Sequence, residues 1–299
     1  MFFFKKIIFH YKKYYFFILD FFIPRKIQII KNKNYNLNEK LVIGAVYGYN
    51  FSNIEIFLKS LRKYYNEDLI LILSSKDYIK LKKQLENYNC HFAIDNRSPL
   101  NGFINRYFVY KKILSSFKEK KQVLLTDTRD VFFQNNPFYK VNKNKIYIGC
   151  EYKNYKECKI NKKWLINFYN HFEYEKIKNY KILCSGVILG NTNLLLKIIK
   201  YLMIEHKKIL KKNKFLVAFP RGMDNTSVNL VVRKLLQNNK NIYLCENKKN
   251  SFIGTYATAP LKSIIVKNKN IINVKSKKIN IIHQYDRHPS LFRLLKMSS

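Results

Sequence analysis

A chain of 299 residues with 47% hydrophobic and 16% aromatic content carries enough apolar material for a large packed domain, so disorder is not its default state. Its 57 Lys and Arg against 19 Asp and Glu give a formal charge of +38. An AT-rich codon bias accounts for abundant Lys but would enrich Glu as well, so the excess points to an anionic partner: a phospholipid surface, a phosphorylated substrate or nucleic acid.

Residues 1–30 are aromatic and basic, and Lys5, Lys6, His10, Lys12, Lys13 and Asp20 interrupt every apolar run. A spanning helix needs about 20 mostly apolar residues, and no small-residue cleavage site follows, so neither a membrane span nor a signal peptide is expected. Two readings remain: a segment lying at the membrane interface, or a helix packed on the domain. The polar stretch 31–40 reads as a linker, which divides the chain into an N-terminal extension (1–37) and a single domain (38–299).

Within that domain, 41–46 reads as a short buried strand followed by a turn. Residues 52–65 have helical spacing, with Ser52 and Glu55 as a capping box. Strand 68–75, helix 76–88, strand 91–95 and helix 101–120 follow, the last with Phe103, Tyr107, Tyr110, Leu114 and Phe117 on one face. The next strand, 123–127, ends in VLLTDTRDVFFQNNPF (123–138). Further elements are expected at 145–152, 184–191, from Thr192 to about Lys207, at 220–236 and at 279–289, with short strands and loops between 238 and 278. This alternation predicts an α/β fold with a mostly parallel, Rossmann-like sheet flanked by helices, in which ligands bind at the carboxyl ends of the strands. The scattered cysteines Cys90, Cys150, Cys158, Cys184 and Cys245 form no CxxC pair and no metal-ligand spacing, so reduced buried thiols of a cytoplasmic protein are expected.

Asp127 falls at such a strand end. Paired carboxylates there hold a divalent cation, do acid/base work, or cap the next turn, and Mg²⁺ or Mn²⁺ favours oxygen ligands. Strand alternation puts Asp127 and Asp130 on opposite faces, so they share a cation only if the strand ends at Asp127 and the chain bends through Thr128 and Arg129. Otherwise Asp130 pairs with Arg129 or caps a turn.

TDTRDVFFQNNPF resembles the DxD signature of GT-A-fold nucleotide-sugar glycosyltransferases, in the form seen near glycogenin-like and lipopolysaccharide-glycosyltransferase-like families. The resemblance extends over roughly 41–289. It takes in VIGAVYGYN as first strand and nucleotide loop, Arg106 on the helix before the motif, CSGVILGN as an N-S-G-like stretch, GMDNTSVN as a D-Q-like stretch, and IIHQYDRHP with its late histidine. The chain departs in having D-T-R-D, one residue longer, and Asn225 in place of Gln.

The resemblance implies a metal-dependent transfer of a sugar from a nucleotide-diphosphate sugar to a glycan or lipid-linked acceptor. The basic, aromatic residues 1–30 add the expectation that such an enzyme is held peripherally on the anionic surface of the inner membrane face. The resemblance also implies that Mn²⁺ or Mg²⁺ is bound by Asp127, Asp130 and His283 and bridges to the diphosphate. Arg106 is implied to meet the diphosphate or sugar, Tyr47 to stack on the base, and Gly186 to admit the donor sugar closely. Asp224 is implied to contact donor or acceptor, and Asp286 and His288 stand near the same histidine. Read without the resemblance, Arg106 is a surface arginine, Tyr47 a core tyrosine, Gly186 a tight turn, Asp224 a helix cap and His283 a polar residue leaving a strand. Two other functions compete. A nucleic-acid-binding protein would explain the charge, but no helix-turn-helix, zinc-finger or RNP pattern is present, so no nucleic-acid partner is expected. A metal-dependent phosphoesterase would want more carboxylate and His ligands.

Overall fold

The computed structural model describes residues 25–31, 39–97, 102–117, 121–212, 221–237, 240–247 and 249–298. Residues 1–24, on which the membrane-interface expectation chiefly rests, lie outside the described residues, as does most of the linker.

The domain is an α/β structure around one large mixed sheet. Its strands are β1 (Ile27–Ile30), β2 (Lys40–Ala45), β3 (Leu69–Ser74), β4 (His91–Asp95), β5 (Gln122–Asp127), β7 (Ile146–Asn154), β8 (Lys181–Asn191) and β9 (Ile242–Cys245), in the order β1-β4-β3-β2-β5-β8-β7-β9. Strands β4, β3, β2 and β5 run parallel, as do β7 and β9; β1 and β8 run antiparallel to their neighbours. β3 is buried along its whole length and β2 from Leu41 onward, as expected of apolar runs in a sheet covered on both faces. Ile27–Ile30, within the 1–37 extension, form the edge strand β1.

On one face lie α3 (Gly102–Ser116), α6 (Thr192–Lys212) and α7 (Met223–Leu236), where Tyr107, Tyr110, Leu195, Leu202 and Val228 pack against Ile43, Ile72 and Leu125. The other face is covered by α1 (Phe51–Arg62), α2 (Ser75–Leu85) and a three-stranded sheet, β10-β13-β6, made of β10 (Ile253–Thr255), β13 (Ile281–His283) and β6 (Val131–Phe133). β13 runs parallel to β10 and antiparallel to β6. The remaining described elements are α4 (Lys159–Phe168) and α5 (His171–Ile177), a hairpin of β11 (Ile265–Lys267) and β12 (Asn270–Ile272), and the amphipathic α8 (Pro289–Lys296), whose Leu291 and Leu295 pack near Phe132 and Ile282.

Some local expectations change. Helix α1 starts at Phe51, and Asn50, not Ser52, is its N-cap: the Asn50 N–H donates to Asn53 Oδ1 at 3.0 Å. Glu55 is instead engaged by Lys59 one turn on, at 2.9 Å. Phe103 is exposed, because the buried stripe of α3 runs through Ile104, Tyr107, Tyr110 and Leu114. The five cysteines are free thiols, and all but Cys158 are buried.

Candidate metal centre

Strand β5 ends at Asp127, and the chain then bends through Thr128–Asp130 before β6. The bend has an identifiable anchor. The fully buried Thr128 donates its hydroxyl to the Ala45 carbonyl at the end of β2, at 2.8 Å. Its methyl occupies the gap over Gly44, where a Cβ would stand 2.6 Å from Thr128 Cγ2. The bend meets the condition under which both aspartates can serve one cation.

The third group arrives from the far end of the chain. β13 pairs with β6 so that His283 lies opposite Val131, and the Gln284 N–H donates to the Asp130 carbonyl at 2.7 Å. One ligand atom each from Asp127, Asp130 and His283 then lies within 4.8 Å of the others. His283 Nε2 faces Asp127 Oδ2 at 3.7 Å and Asp130 Oδ1 at 3.5 Å. The ring is 1% exposed, yet its Nε2 makes no hydrogen bond.

Each carboxylate has its second oxygen committed elsewhere. Asp127 Oδ1 accepts from Arg106, while Asp130 Oδ2 faces Arg129 at 3.7 Å and Arg287 at 3.8 Å. Gly186 on β8 supplies the remaining wall: a Cβ there would stand 2.5 Å from Asp127 Oδ2 and 2.7 Å from His283 Nε2, filling the space between them. Two inward carboxylate oxygens, one bare imidazole nitrogen and a gap that no side chain fills fit a hard divalent cation such as Mn²⁺ or Mg²⁺.

The electrostatics agree with that donor set. Burial opposes ionisation of Asp127, but the Arg106 guanidinium and the His283 ring prevail and bring its carboxyl down to about 2. Burial favours a neutral His283, yet Cys184, Asp130 and Asp127 raise its pKa well above that of free imidazole. The carboxylates thus call for positive charge where Nε2 points.

Arg106 is 4% exposed and sits behind the centre, bridging Asp127 and Asp224 (2.6 Å to Asp224 Oδ2). Asp224 lies in the first turn of α7, whose N-cap is Gly222, and also accepts from Ser185 Oγ at 3.0 Å. Burial outweighs Arg106 and leaves the Asp224 carboxyl raised. Two asparagines of the same helix clamp β8: Asn225 Oδ1 accepts from the Ser185 N–H at 3.1 Å, and the Asn229 amide bonds both backbone groups of Leu183 at 2.8 Å. Asn225 in turn donates to Asn161 on α4 at 3.0 Å. The 222–229 stretch therefore holds Cys184–Gly186 in place beside the centre.

The structure brings together Asp127, Asp130, His283, Gly186, Arg106 and Asp224. Tyr47 turns elsewhere, donating its hydroxyl to Asp95 Oδ2 at 3.0 Å beside Arg25. The loop tyrosine near the carboxylates is Tyr49, whose hydroxyl is pushed up by burial and then by Asp127. Asp286 is paired with Arg129 (3.4 Å) and Arg287 (3.2 Å), and His288 bonds the Tyr256 carbonyl through Nε2 at 2.8 Å. Sequence reasoning gave no site role to Tyr49, Arg287, Asn229 or Cys184, whereas the Asp130–Arg129 pairing it allowed is present at 3.7 Å. No protein-family model matches the chain, and no curated protein matches it.

Proposed function

We propose that the protein is a metal-dependent glycosyltransferase of GT-A type, which moves a sugar from a nucleotide-diphosphate sugar to a glycan or lipid-linked acceptor. One observation carries the reading. At the carboxyl end of β5, Asp127 and Asp130 each turn one oxygen toward the bare Nε2 of His283 and leave the other to arginine. A mostly parallel α/β sheet with such a cluster at a strand end is compatible with the GT-A architecture.

In this reading Asp127 Oδ2, Asp130 Oδ1 and His283 Nε2 hold Mn²⁺ or Mg²⁺. When bound, the cation would supply positive charge against the negative charge of the departing diphosphate. Arg106 fixes the rotamer of Asp127 from behind, Asp224 and Ser185 fix Arg106 and the β8 segment, and Gly186 keeps a close approach open for the donor. Half-exposed Arg129 and Arg287 flank the opening and add cationic character where a diphosphate would lie. Among the described residues no helix is long and apolar enough to cross a membrane. The basic, aromatic residues that precede β1 would hold the enzyme peripherally at the inner membrane face, near a lipid-linked acceptor.

The test is a thermal-shift panel of UDP-, GDP-, CMP- and TDP-sugars with and without Mn²⁺. A ligand at a hundred times its Kd stabilises the native state by about 2.7 kcal/mol. One nucleotide class should raise the Tm only with the metal present. A panel without any metal-dependent shift removes the reading.

A further inference from the structure

On the side of the His283 ring turned away from the carboxylates, Nδ1 meets the side chain of Cys184. Cys184 Sγ lies 3.4 Å from Nδ1, and both residues are buried, at 4% and 1% exposure. For Nε2 to present a lone pair between Asp127 and Asp130, the ring proton must reside on Nδ1, and there it needs an acceptor. The usual acceptor behind a ligating histidine is a carboxylate, a carbonyl or water. Here the position is filled by the Cys184 sulfur.

Cys184 is itself firmly placed. It stands on β8 between Leu183 and Ser185, whose backbones are gripped by Asn229 and Asn225, and two residues before the Gly186 gap. The backbone that carries its sulfur is therefore held on both sides.

We propose that Cys184 is a positioning residue of the metal centre: its sulfur accepts the Nδ1–H of His283, which fixes the ring tautomer and orientation and leaves Nε2 free to ligate. The inference rests on the metal-centre reading above and deepens it. Loss of a group behind a ligand weakens metal binding about 10–100-fold, and sulfur as a weak acceptor places the effect at the lower end, about tenfold.

The experiment measures Mn²⁺ binding to the full-length protein by the loss of the free-ion EPR signal, for wild type, Cys184→Ala, Cys184→Ser, His283→Ala and, as a buried-thiol control, Cys90→Ala. Cys184→Ala should weaken binding about tenfold, Cys184→Ser should lie within threefold of wild type because its oxygen still accepts, and Cys90→Ala should match wild type. Unchanged binding by Cys184→Ala, or equal weakening by Ala and Ser, overturns the proposal. If Cys184→Ala does not fold, imidazole ¹⁵N NMR of the Mg²⁺-loaded wild type decides: a protonated Nδ1 supports the proposal, and a bare Nδ1 overturns it. Wild-type protein that binds no Mn²⁺, or His283→Ala that binds it normally, removes the centre itself, a failure distinct from that of Cys184.

Discussion

Replacing Arg106 separates two roles for this residue. Removing an arginine that only meets a bound diphosphate leaves the ligand-free protein as stable as before; removing one that neutralises the buried Asp224 and the half-buried Asp127 does not. In the structure it is 4% exposed and bridges Asp127 and Asp224. Removing one partner of a buried ion pair costs about 3–5 kcal/mol, because the other charge is left without compensation. Most of that cost falls on Asp224, whose side chain is 7% exposed, while Asp127 at 34% regains water. Arg106→Met keeps much of the volume and isolates the charge effect. It should lower stability by about 3–5 kcal/mol in urea unfolding, and the Tm by on the order of 10 °C for a domain of this size. Arg106→Met with Asp224→Leu should regain most of the loss, since apolar groups can replace a buried pair at little cost. A loss below about 1 kcal/mol in the single variant, or no recovery in the double, would refute the bridging role.

Gly186→Ala should cut Mn²⁺ affinity at least tenfold, since its Cβ forces Asp127 Oδ2 or His283 to give way by roughly 1 Å; wild-type affinity by calorimetry would show that the gap is not part of the centre. Glu151, 6% exposed, has its carboxyl raised by burial from 4.5 to about 7. Between those values the unfolded chain binds fewer protons than the folded one, so this group's contribution falls as pH rises, by about 3 kcal/mol. Glu151→Gln should remove that slope, and parallel wild-type and variant stability curves from pH 4.5 to 7 would contradict the buried-acid assignment. Full-length protein should sediment with anionic vesicles and be released by high salt, and removal of residues 1–24, which leaves strand β1 in place, should weaken this while sparing nucleotide-sugar binding; equal affinity for neutral vesicles would count against an electrostatic surface contact.

The first half of the fold was readable because its signals are local. Runs such as Leu69–Ser74 are apolar without alternation only when both faces are covered, and the helices between them show their buried stripes directly. β6 and β13 are three residues each and exist because they pair with one another, a fact no window of sequence contains. The same limit applies to the site. Asp127 could be placed at a strand end, but whether Asp130 joins it depends on where the Thr128 hydroxyl bonds, and that partner is Ala45 on another strand. The bridge from Arg106 to Asp127 and Asp224 was hidden because Asp224 lies 118 positions away. Tyr47 and Tyr49 differ only in which way the loop after β2 turns, and Asp95 decides it by taking the Tyr47 hydroxyl. At α1, Asn50 and Ser52 are both good cap residues, so composition alone could not choose between them.

The wide separation of Asp127 and Asp130 from His283 along the chain has a kinetic consequence. The centre exists only after β13 has docked beside β6, a contact between the middle of the chain and its last part that must wait for a long loop to close. Parallel strands β2, β3 and β5 can associate before that, so a refolding population should pass through species with a formed large sheet and no ability to capture a cation. Cation capture during refolding would then mark completion of the domain, and by binding only the completed state it would slow the reopening of β13.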